Sequence, residues 1–344
     1  MMNISRGSGN LVPQNPDLRI EVSPRIHLGL ISMHDGAVRK NGGIGFSVAG
    51  PAATIELKAA DQLRVRDNRS HPFNRAEIDQ VLAAMGHLLS SEQLATTADV
   101  LIAGAFRTHV GMGSGTAIRL AITEGLHLLD ERAPSRQQLV ERSGRGGTSG
   151  IGVSTYFSGG MVLDLGAVND GSPFVPSSRI SAGRSPTTLP CLEMPKWPLC
   201  LCVPESIPSK TQEEEAEFFA RTAPLTAAAS YRASYEALFH AYASVAEANY
   251  RGFCSAVEAM QETDWKACEW REYGEPLQAL RRSLRRLGVD CVGMSSLGPM
   301  LFCFGSPAVL NTIVREQKSL DCHTFQTMPN NCGRMISRML PCGS

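Results

Sequence analysis

Apolar residues recur along this chain with two periods, and the change from one to the other outlines the elements. "RIEVSPRIHLGLISM" (19–33) and "GGIGFSVAGPAATIELKAA" (42–60) read as strands, the second alternating at Thr54, Glu56 and Lys58. "RAEIDQVLAAMGHLLSS" (75–91) has the spacing of an amphipathic helix, and "DVLIAGAF" (99–106) that of a strand. Helices follow after the glycines near 113 and near Ser135–Ser143, while 167–196, rich in Pro, Ser and Gly, reads as a linker or long loop. Beyond it, "WPLCLCVPE" (197–205) is a strand. The chain from "KTQEEEAEFFARTA" to "EYGEPLQALRRSLRRLG" (210–288) is nearly all helix, with Glu213, Glu214 and Glu215 in a first turn where the dipole favours them. "VDCVGMSSLGPMLFCFG" (289–305) reads as strand, glycine turn, strand; "SPAVLNTIVREQKSL" (306–320) as a helix; "CHTFQTMPN" (322–330) as a final strand. The pattern predicts an α+β chain of two domains, 19–190 and 191–344, behind a disordered tail at 1–18.

Composition narrows the classes without choosing among them. With 344 residues, 43% hydrophobic and 19% charged, the chain has the make-up of a globular protein. A formal net charge of zero provides no field for nucleic acid or a membrane surface, so neither is expected as a partner. No apolar run approaches the roughly 20 residues that span a bilayer, and "MMNISRGSGNLVPQNPDLR" lacks the apolar centre of a signal peptide. The ten cysteines are scattered with no CxxC pair, which points to reduced thiols in the cytoplasm and away from a disulfide framework or a zinc site.

Candidate chemistry lies in the glycine turns. In "HVGMGSGTAIRLAITEGLHLL" (109–129), Gly111, Gly113, Ser114, Gly115 and Thr116 run straight into a helical pattern. A helix start carries unpaired N–H groups and partial positive charge, and glycines let that backbone approach an anion. An ordinary Ser/Thr cap behind a flexible turn gives the same pattern. Two further turns, "GRGGTSGIG" (144–152) and "GMSSLGP" (293–299), and the stretch "MHDGAVRKNGGIG" (33–45), with His34, Asp35, Arg39 and Lys40 beside glycines, add hydroxyls and cations. Together they predict a polyanion held by backbone N–H groups and a few basic side chains.

Taken in order, "RIHLGLISMHDGAVRKNGGIGFSV", "VGMGSGTAIRLA", "GRGGTSGIGVSTYFSGG", "GMSSLGP" and "MPNNCG" resemble the successive motifs of the beta-ribofuranosylaminobenzene 5'-phosphate synthase family, from about Arg25 to Gly333. That family is similar in fold to the GHMP small-molecule kinases. The resemblance implies a GHMP-type N-terminal domain, a ferredoxin-like C-terminal domain, a ligand between them and a homodimer. It implies an enzyme that joins phosphoribosyl diphosphate (PRPP) to an aromatic carboxylate, with loss of CO2 and diphosphate and with Mg²⁺ as cofactor. GHMP kinases carry S-G-x-D where this chain reads Ser149-Gly150-Ile151-Gly152. The carboxylate that acts on a substrate hydroxyl is therefore missing, which disfavours a kinase.

On this reading Gly111, Gly113, Ser114, Gly115 and Thr116 hold diphosphate, with Ser114 or Thr116 offering an oxygen to Mg²⁺. Arg145, Gly147, Thr148 and Ser149 hold a phosphate, or Arg145 is a solvated loop cation. Ser295 and Ser296 close the site or simply form a tight turn. His34, Asp35 and Lys40 are the expected catalytic group, with Arg39 beside them. Arg25 meets a carboxylate or caps its strand; His27 lies near substrate or is a satisfied structural histidine. Glu124 is a metal ligand by analogy or part of a solvated helix face. Two acceptors remain open: the aminopyrazole dicarboxylate of C-nucleoside synthases of the formycin and pyrazofurin type, which is favoured, and 4-aminobenzoate. A non-catalytic phosphate-binding regulator with the same fold is a further alternative.

Overall fold

The computed structural model describes residues 17–144, 150–176, 179 and 187–339. Strands β1 (Asp17–Val22), β4 (Ala53–Ala59), β5 (Arg64–Asp67), β6 (Ala98–Gly104) and β13 (Met335–Met339) form one sheet in the order β13-β1-β4-β6-β5. A second sheet has the order β2 (Arg25–Ser32), β3 (Arg39–Ser47), β7 (Met161–Asp164), with β8 (Ala167–Val168) paired to β3. The expected strands at 19–33 and 42–60 each divide in two at a proline, Pro24 and Pro51, which has no N–H for a ladder. In β4 the alternation is observed: Ala53, Ile55 and Leu57 are fully buried while Thr54, Glu56 and Lys58 point away.

Helix α1 (Arg75–Ser91) starts at a capping box, the Asn74 side chain taking the N–H of Glu77 and the Glu77 carboxylate taking that of Asn74. Helix α2 (Ser114–Leu129) is apolar on nearly every side and correspondingly central. It packs on β1 and β4 and is covered by α1, α3 (Arg136–Arg142) and α4 (Gly150–Ser158). Gly125 permits this approach, since a Cβ there would stand 2.5 Å from Leu57.

In the second half, β9 (Leu199–Pro204), β10 (Cys291–Met294), β11 (Leu301–Phe304) and β12 (Cys322–Thr327) form an antiparallel sheet of order β10-β11-β9-β12. Helices α5 (Gln212–Thr222), α6 (Ala227–Tyr235), α7 (Ala243–Ala246), α8 (Tyr250–Gln261) and α9 (Asp264–Arg286) intervene between β9 and β10, and α10 (Pro307–Arg315) between β11 and β12. This is the β-α-β-β-α-β arrangement of a ferredoxin-like domain. A π-helical turn at Glu236–Tyr242 joins α6 to α7, and α9 is broken at Gly274, where φ is +57°.

Two expectations require correction. The tail expected at 1–18 overlaps β1, which begins at Asp17. The C-terminal unit 191–344 is also not self-contained: β13 returns to pair with β1 from Asp17↔Met339 to Glu21↔Met335. One apolar core runs from Leu18 and Ile20 through Phe46 to Leu199, Phe253 and Phe302. The pattern misses β13 because it is an edge strand with Met335 and Ile336 exposed, and β5 because "RVRD" carries three charges in four residues.

Glu124 shows what fastens this returning segment. It lies in the middle of α2 and is buried, so it is no solvated face. It accepts from Arg334 Nε at 2.9 Å and Arg334 Nη2 at 2.5 Å, and from the Tyr156 hydroxyl at 2.6 Å. The carboxylate is thereby fully engaged in a clamp. Glu124→Ala should cost about 2–4 kcal/mol, because it leaves a half-buried guanidinium and a buried phenol without their acceptor. Chemical denaturation checks this, and a loss below about 1 kcal/mol would mean the clamp contributes little.

Candidate active site

The loop 105–113 leads from β6 into α2, and its glycines are dictated by close approach. Gly111 and Gly113 have φ of +95° and +79°. A Cβ on Gly111 would lie 2.3 Å from the Ser295 carbonyl oxygen, and one on Gly113 2.9 Å from Arg25 Cγ. Gly113 is itself the N-cap and supplies no side-chain cap, so a Ser/Thr cap does not seal the α2 N-terminus. The surroundings stitch three distant segments together. Arg25 donates from Nη1 to the Gly111 carbonyl and from its backbone N–H to that of Met112, the latter at 2.9 Å. Ser295 Oγ donates to the same Gly111 carbonyl at 2.7 Å and accepts the His27 N–H at 3.0 Å. The Ser296 N–H reaches the His27 carbonyl at 2.9 Å.

This junction opens on a cavity of about 230 Å³ between the two halves. Gly111, Gly113, Ser114 and Gly115 line one wall, and Ser296, Leu297 and Gly298 another. Arg25, Arg119 and Lys210 bring positive charge to it, and Glu77, Asp164, Glu215 and Glu269 negative charge. Burial pushes the Arg25 guanidinium down to about 10, so it remains a cation at neutral pH. His27 also lines the cavity; burial, then the neighbouring Arg25 and Lys266, hold its imidazole well below the usual range, and its Nδ1 is buried without a partner. It is a neutral hydrogen-bonding group there.

Underneath, Lys266 is completely buried, donating to the carbonyls of Met294 and Ser296 at 2.8 Å each and pairing with Glu269 at 2.5 Å. Burial lowers the lysine and raises the glutamate. This pair fixes the 293–299 turn against the cavity.

Asp164 ends β7 at the cavity wall. Each of its oxygens accepts a backbone N–H at 2.7 Å, one from Gly150 and one from Gly166. Desolvation outweighs both bonds and pushes its carboxyl up to about 6.

Several expected site residues are elsewhere. His34 is packed edge-on against Tyr231, 5.4 Å between ring centres, and Asp35 is exposed. Arg39 hooks the carbonyls of Leu165 and Gly166 at 2.9 and 2.7 Å, and Lys40 pairs with Asp170 at 2.6 Å. None of these four lines the cavity, because the hairpin that carries them folds toward the loop after β7 and toward α6. Ser295 is wholly buried behind the loop, and Thr116 faces α4, where a Cβ on Gly152 would lie 3.5 Å from its methyl. Asn330 and Asn331 hold Ser23 and Met194 and are structural. Arg145, Gly147, Thr148 and Ser149 lie outside the described residues.

The pattern does not single out Asn41, Asp164, Lys210, Lys266 or Glu269. Asp164 alone leaves a trace, a lone charge inside the apolar "MVLDLG". Lys266 and Glu269, among tryptophans in a long helical region, read as ordinary surface charges until α9 is packed.

The fold is that of the GHMP kinases. A homoserine kinase from Cytophaga hutchinsonii superposes with a TM-score of 0.66 at 13% identity, covering 97% of this chain and all of that one (100%). A mevalonate kinase from Staphylococcus aureus gives 0.58 at 12%, over 92% and 99%. No family model matches the chain. Among relatives, the beta-ribofuranosylphenol 5'-phosphate synthase of Archaeoglobus fulgidus is 29% identical over 322 residues, 92% of this chain and 98% of that protein. The protein of the same name from Methanothermobacter thermautotrophicus is 29% identical over 294 residues, 83% and 88% of the two chains. These relatives support the family resemblance read from the motifs. No helix among the described residues is long and apolar enough to cross a membrane.

Two stability measurements probe the geometry. Gly111→Ala should cost about 2–4 kcal/mol through its left-handed φ and the contact with Ser295. Gly115→Ala, on an ordinary helical position with open space around a Cβ, should be neutral or stabilising by up to about 1 kcal/mol. Equal effects would remove close approach as the reason for the glycines. For Asp164, the folded pKa stands above the unfolded one, so its contribution is intact below about pH 4 and is lost as pH rises through about 6. Urea midpoints should therefore fall across that window by the equivalent of up to about 3 kcal/mol. Asp164→Asn should flatten the slope while lowering stability throughout, since an amide NH2 would face a backbone N–H.

Proposed function

We propose that this protein is a decarboxylating phosphoribosyltransferase that joins PRPP to a para-substituted benzoate through a new C–C bond. The observation that carries it is the uncapped α2 N-terminus, ringed by Gly111, Gly113 and Gly115 with the Arg25 cation beneath, opening on a cavity between the domains. Such a wall suits a diphosphate. The printed name of the relatives, a ribofuranosylphenol 5'-phosphate synthase, fits a phosphoribosyl donor and a benzene-ring acceptor.

In the reaction the C1–O bond of PRPP breaks and its electron pair leaves with diphosphate. N–H groups of the α2 start and Arg25 stabilise the growing charge. The ring carbon para to the hydroxyl or amino group attacks C1; the bond to its carboxylate then breaks, CO2 leaves, and the pair returns to the ring. No proton has to be removed. Mg²⁺ fits as an ion brought in on the diphosphate, with Ser114 in the cavity wall as the residue that would offer it an oxygen. Bound there, it would neutralise charge on the leaving group.

Kinase chemistry is disfavoured on this chain although the fold allows it. Gly152 stands where the motif of the kinases has its carboxylate, and a Cβ built there would meet the Thr116 methyl at 3.5 Å. For the acceptor, the relatives' names favour a hydroxy- or aminobenzoate over the aminopyrazole dicarboxylate of the C-nucleoside reading.

Mass spectrometry of products from PRPP with 4-hydroxybenzoate, 4-aminobenzoate and 4-amino-1H-pyrazole-3,5-dicarboxylate tests the assignment. A benzoate-derived riboside with released CO2 and diphosphate is expected; ADP formed from ATP would favour the kinase. The decarboxylated acceptor should react at least a hundredfold more slowly, a barrier difference of about 3 kcal/mol or more. Equal rates would mean a base acts, and Asp164 is the cavity group whose replacement by Asn would then abolish the reaction of the analogue.

A further inference from the structure

One corner of the cavity holds two hydrogen-bond acceptors that nothing described so far uses. Strand β3 and the turn after β7 meet there at backbone distance. A Cβ on Gly42 would lie 2.7 Å from the Asp164 carbonyl oxygen, and one on Gly166 2.2 Å from the Lys40 carbonyl oxygen. Asn41, between Lys40 and Gly42, is thereby set beside Asp164, and Asn41, Asp164, Gly166 and Ala167 line the cavity together. In the next row Gly43 pairs with Asp164, and a Cβ on Gly43 would lie 2.9 Å from His27 Nε2. The imidazole on β2 therefore borders the same corner.

Neither acceptor is spent. Asn41 Oδ1 is buried without a hydrogen-bond partner. A φ of +61° accounts for asparagine or glycine at this position, but not for an amide oxygen left unpaired. Asp164 is buried and takes one N–H on each oxygen, from Gly150 and Gly166, whereas a carboxylate has about four lone-pair sites. Arg39 acts on it only through space and is bonded to the carbonyls of Leu165 and Gly166; burial holds His27 neutral. Such a corner suits a neutral group that donates hydrogen bonds and then turns positive.

The aromatic acceptor carries a group of this kind. When its ring carbon attacks C1 of the donor, two ring electrons enter the new bond. Positive charge then falls on the ring and on the nitrogen or oxygen para to that carbon. It lasts until the bond to the carboxylate breaks, CO2 leaves and the electron pair returns to the ring. Resting on that reading, we propose that Asn41 and Asp164 hold the ring's amino or hydroxyl group by its N–H or O–H, and that Asp164 is a catalytic residue whose carboxylate stabilises the cationic ring. It acts by its charge, and the N–H or O–H bond stays intact.

Calorimetry with 4-aminobenzoate and with benzoate, which lacks the donor, tests the corner without turnover. The full chain should bind 4-aminobenzoate at least tenfold more tightly than benzoate. Asn41→Gly, which keeps the left-handed backbone, and Asp164→Asn should each shrink that preference to within threefold and leave benzoate binding unchanged. A merely structural role would weaken both ligands alike. With PRPP present, kcat for 4-aminobenzoate should fall at least hundredfold in Asp164→Asn and about tenfold in Asn41→Gly. Should Asp164→Asn fail to fold, Asn41→Gly decides on both readouts. No binding of 4-aminobenzoate, or a preference equal in wild type and Asn41→Gly, would overturn the proposal; an unchanged kcat in the variants would overturn the catalytic role. A preference lost in the variants, with no product from wild type and any aromatic acid, would instead remove the transfer reaction and leave the donor-binding corner standing.

Discussion

The carbonyl oxygen of Gly111 takes two hydrogen bonds, one from Arg25 on β2 and one from Ser295 in the turn between β10 and β11. This acceptor ties strand β2 of the first domain, the loop before α2 and the second domain's turn to one point. The rest of the site follows from it. With Arg25 packed beneath Gly113 and Ser295 against Gly111, the loop has no room for a side chain at either glycine, and the bare backbone at the α2 start is left facing the space between the domains. The bareness of that wall is thus a consequence of packing as much as of the helix terminus itself.

The junction also explains why ionisable groups are tolerated in the interior. Arg25, His27, Lys266 and Glu269 lie in a continuous layer under the cavity, each shifted against its charged form by burial. Lys266 offsets its own desolvation by holding the carbonyls of Met294 and Ser296 and by its pairing with Glu269. Asp164 completes the layer on the opposite side, held by two amide groups and yet protonated more readily than a free carboxylate. Groups so placed are sensitive to an arriving anion or cation, which is what a binding site requires.

Architecture and chemistry separate in this protein. Its layers and connections superpose on homoserine and mevalonate kinases at identities of 13% and 12%, a likeness of fold alone. The local features belong to this chain: a glycine at 152, and cavity charges that include Arg25 on β2, Asp164 on β7, Arg119 on α2 and Glu269 on α9. The ferredoxin-like half contributes the turn that closes the site, and the returning β13, clamped through Arg334 to Glu124, binds that half back onto the first sheet.

Much of this was legible in the chain of residues itself. The period of the apolar positions placed α1 at residues 75–91 and α2 after the glycines, because core burial forces those spacings whatever the final topology. Gly111 and Gly113 announced a close approach of the backbone, read as one to an anion; the structure shows it toward the Ser295 carbonyl and the Arg25 side chain. The pattern was blind where an element lacks an apolar face, as in β5 and the edge strand β13, and where function depends on the direction a side chain takes. Arg39 and Lys40 look like ligands beside glycines, and the folding of their hairpin sends them instead to the loop after β7. Asp164 and Lys266 look like ordinary charges, and acquire their character from burial and from groups distant in sequence, such as Arg39 for Asp164 and Arg25 for Lys266. Sequence determined the local geometry, since that rests on contacts within a few residues; the tertiary structure decided which charges lose their water, since desolvation is set by whatever the distant chain lays over them.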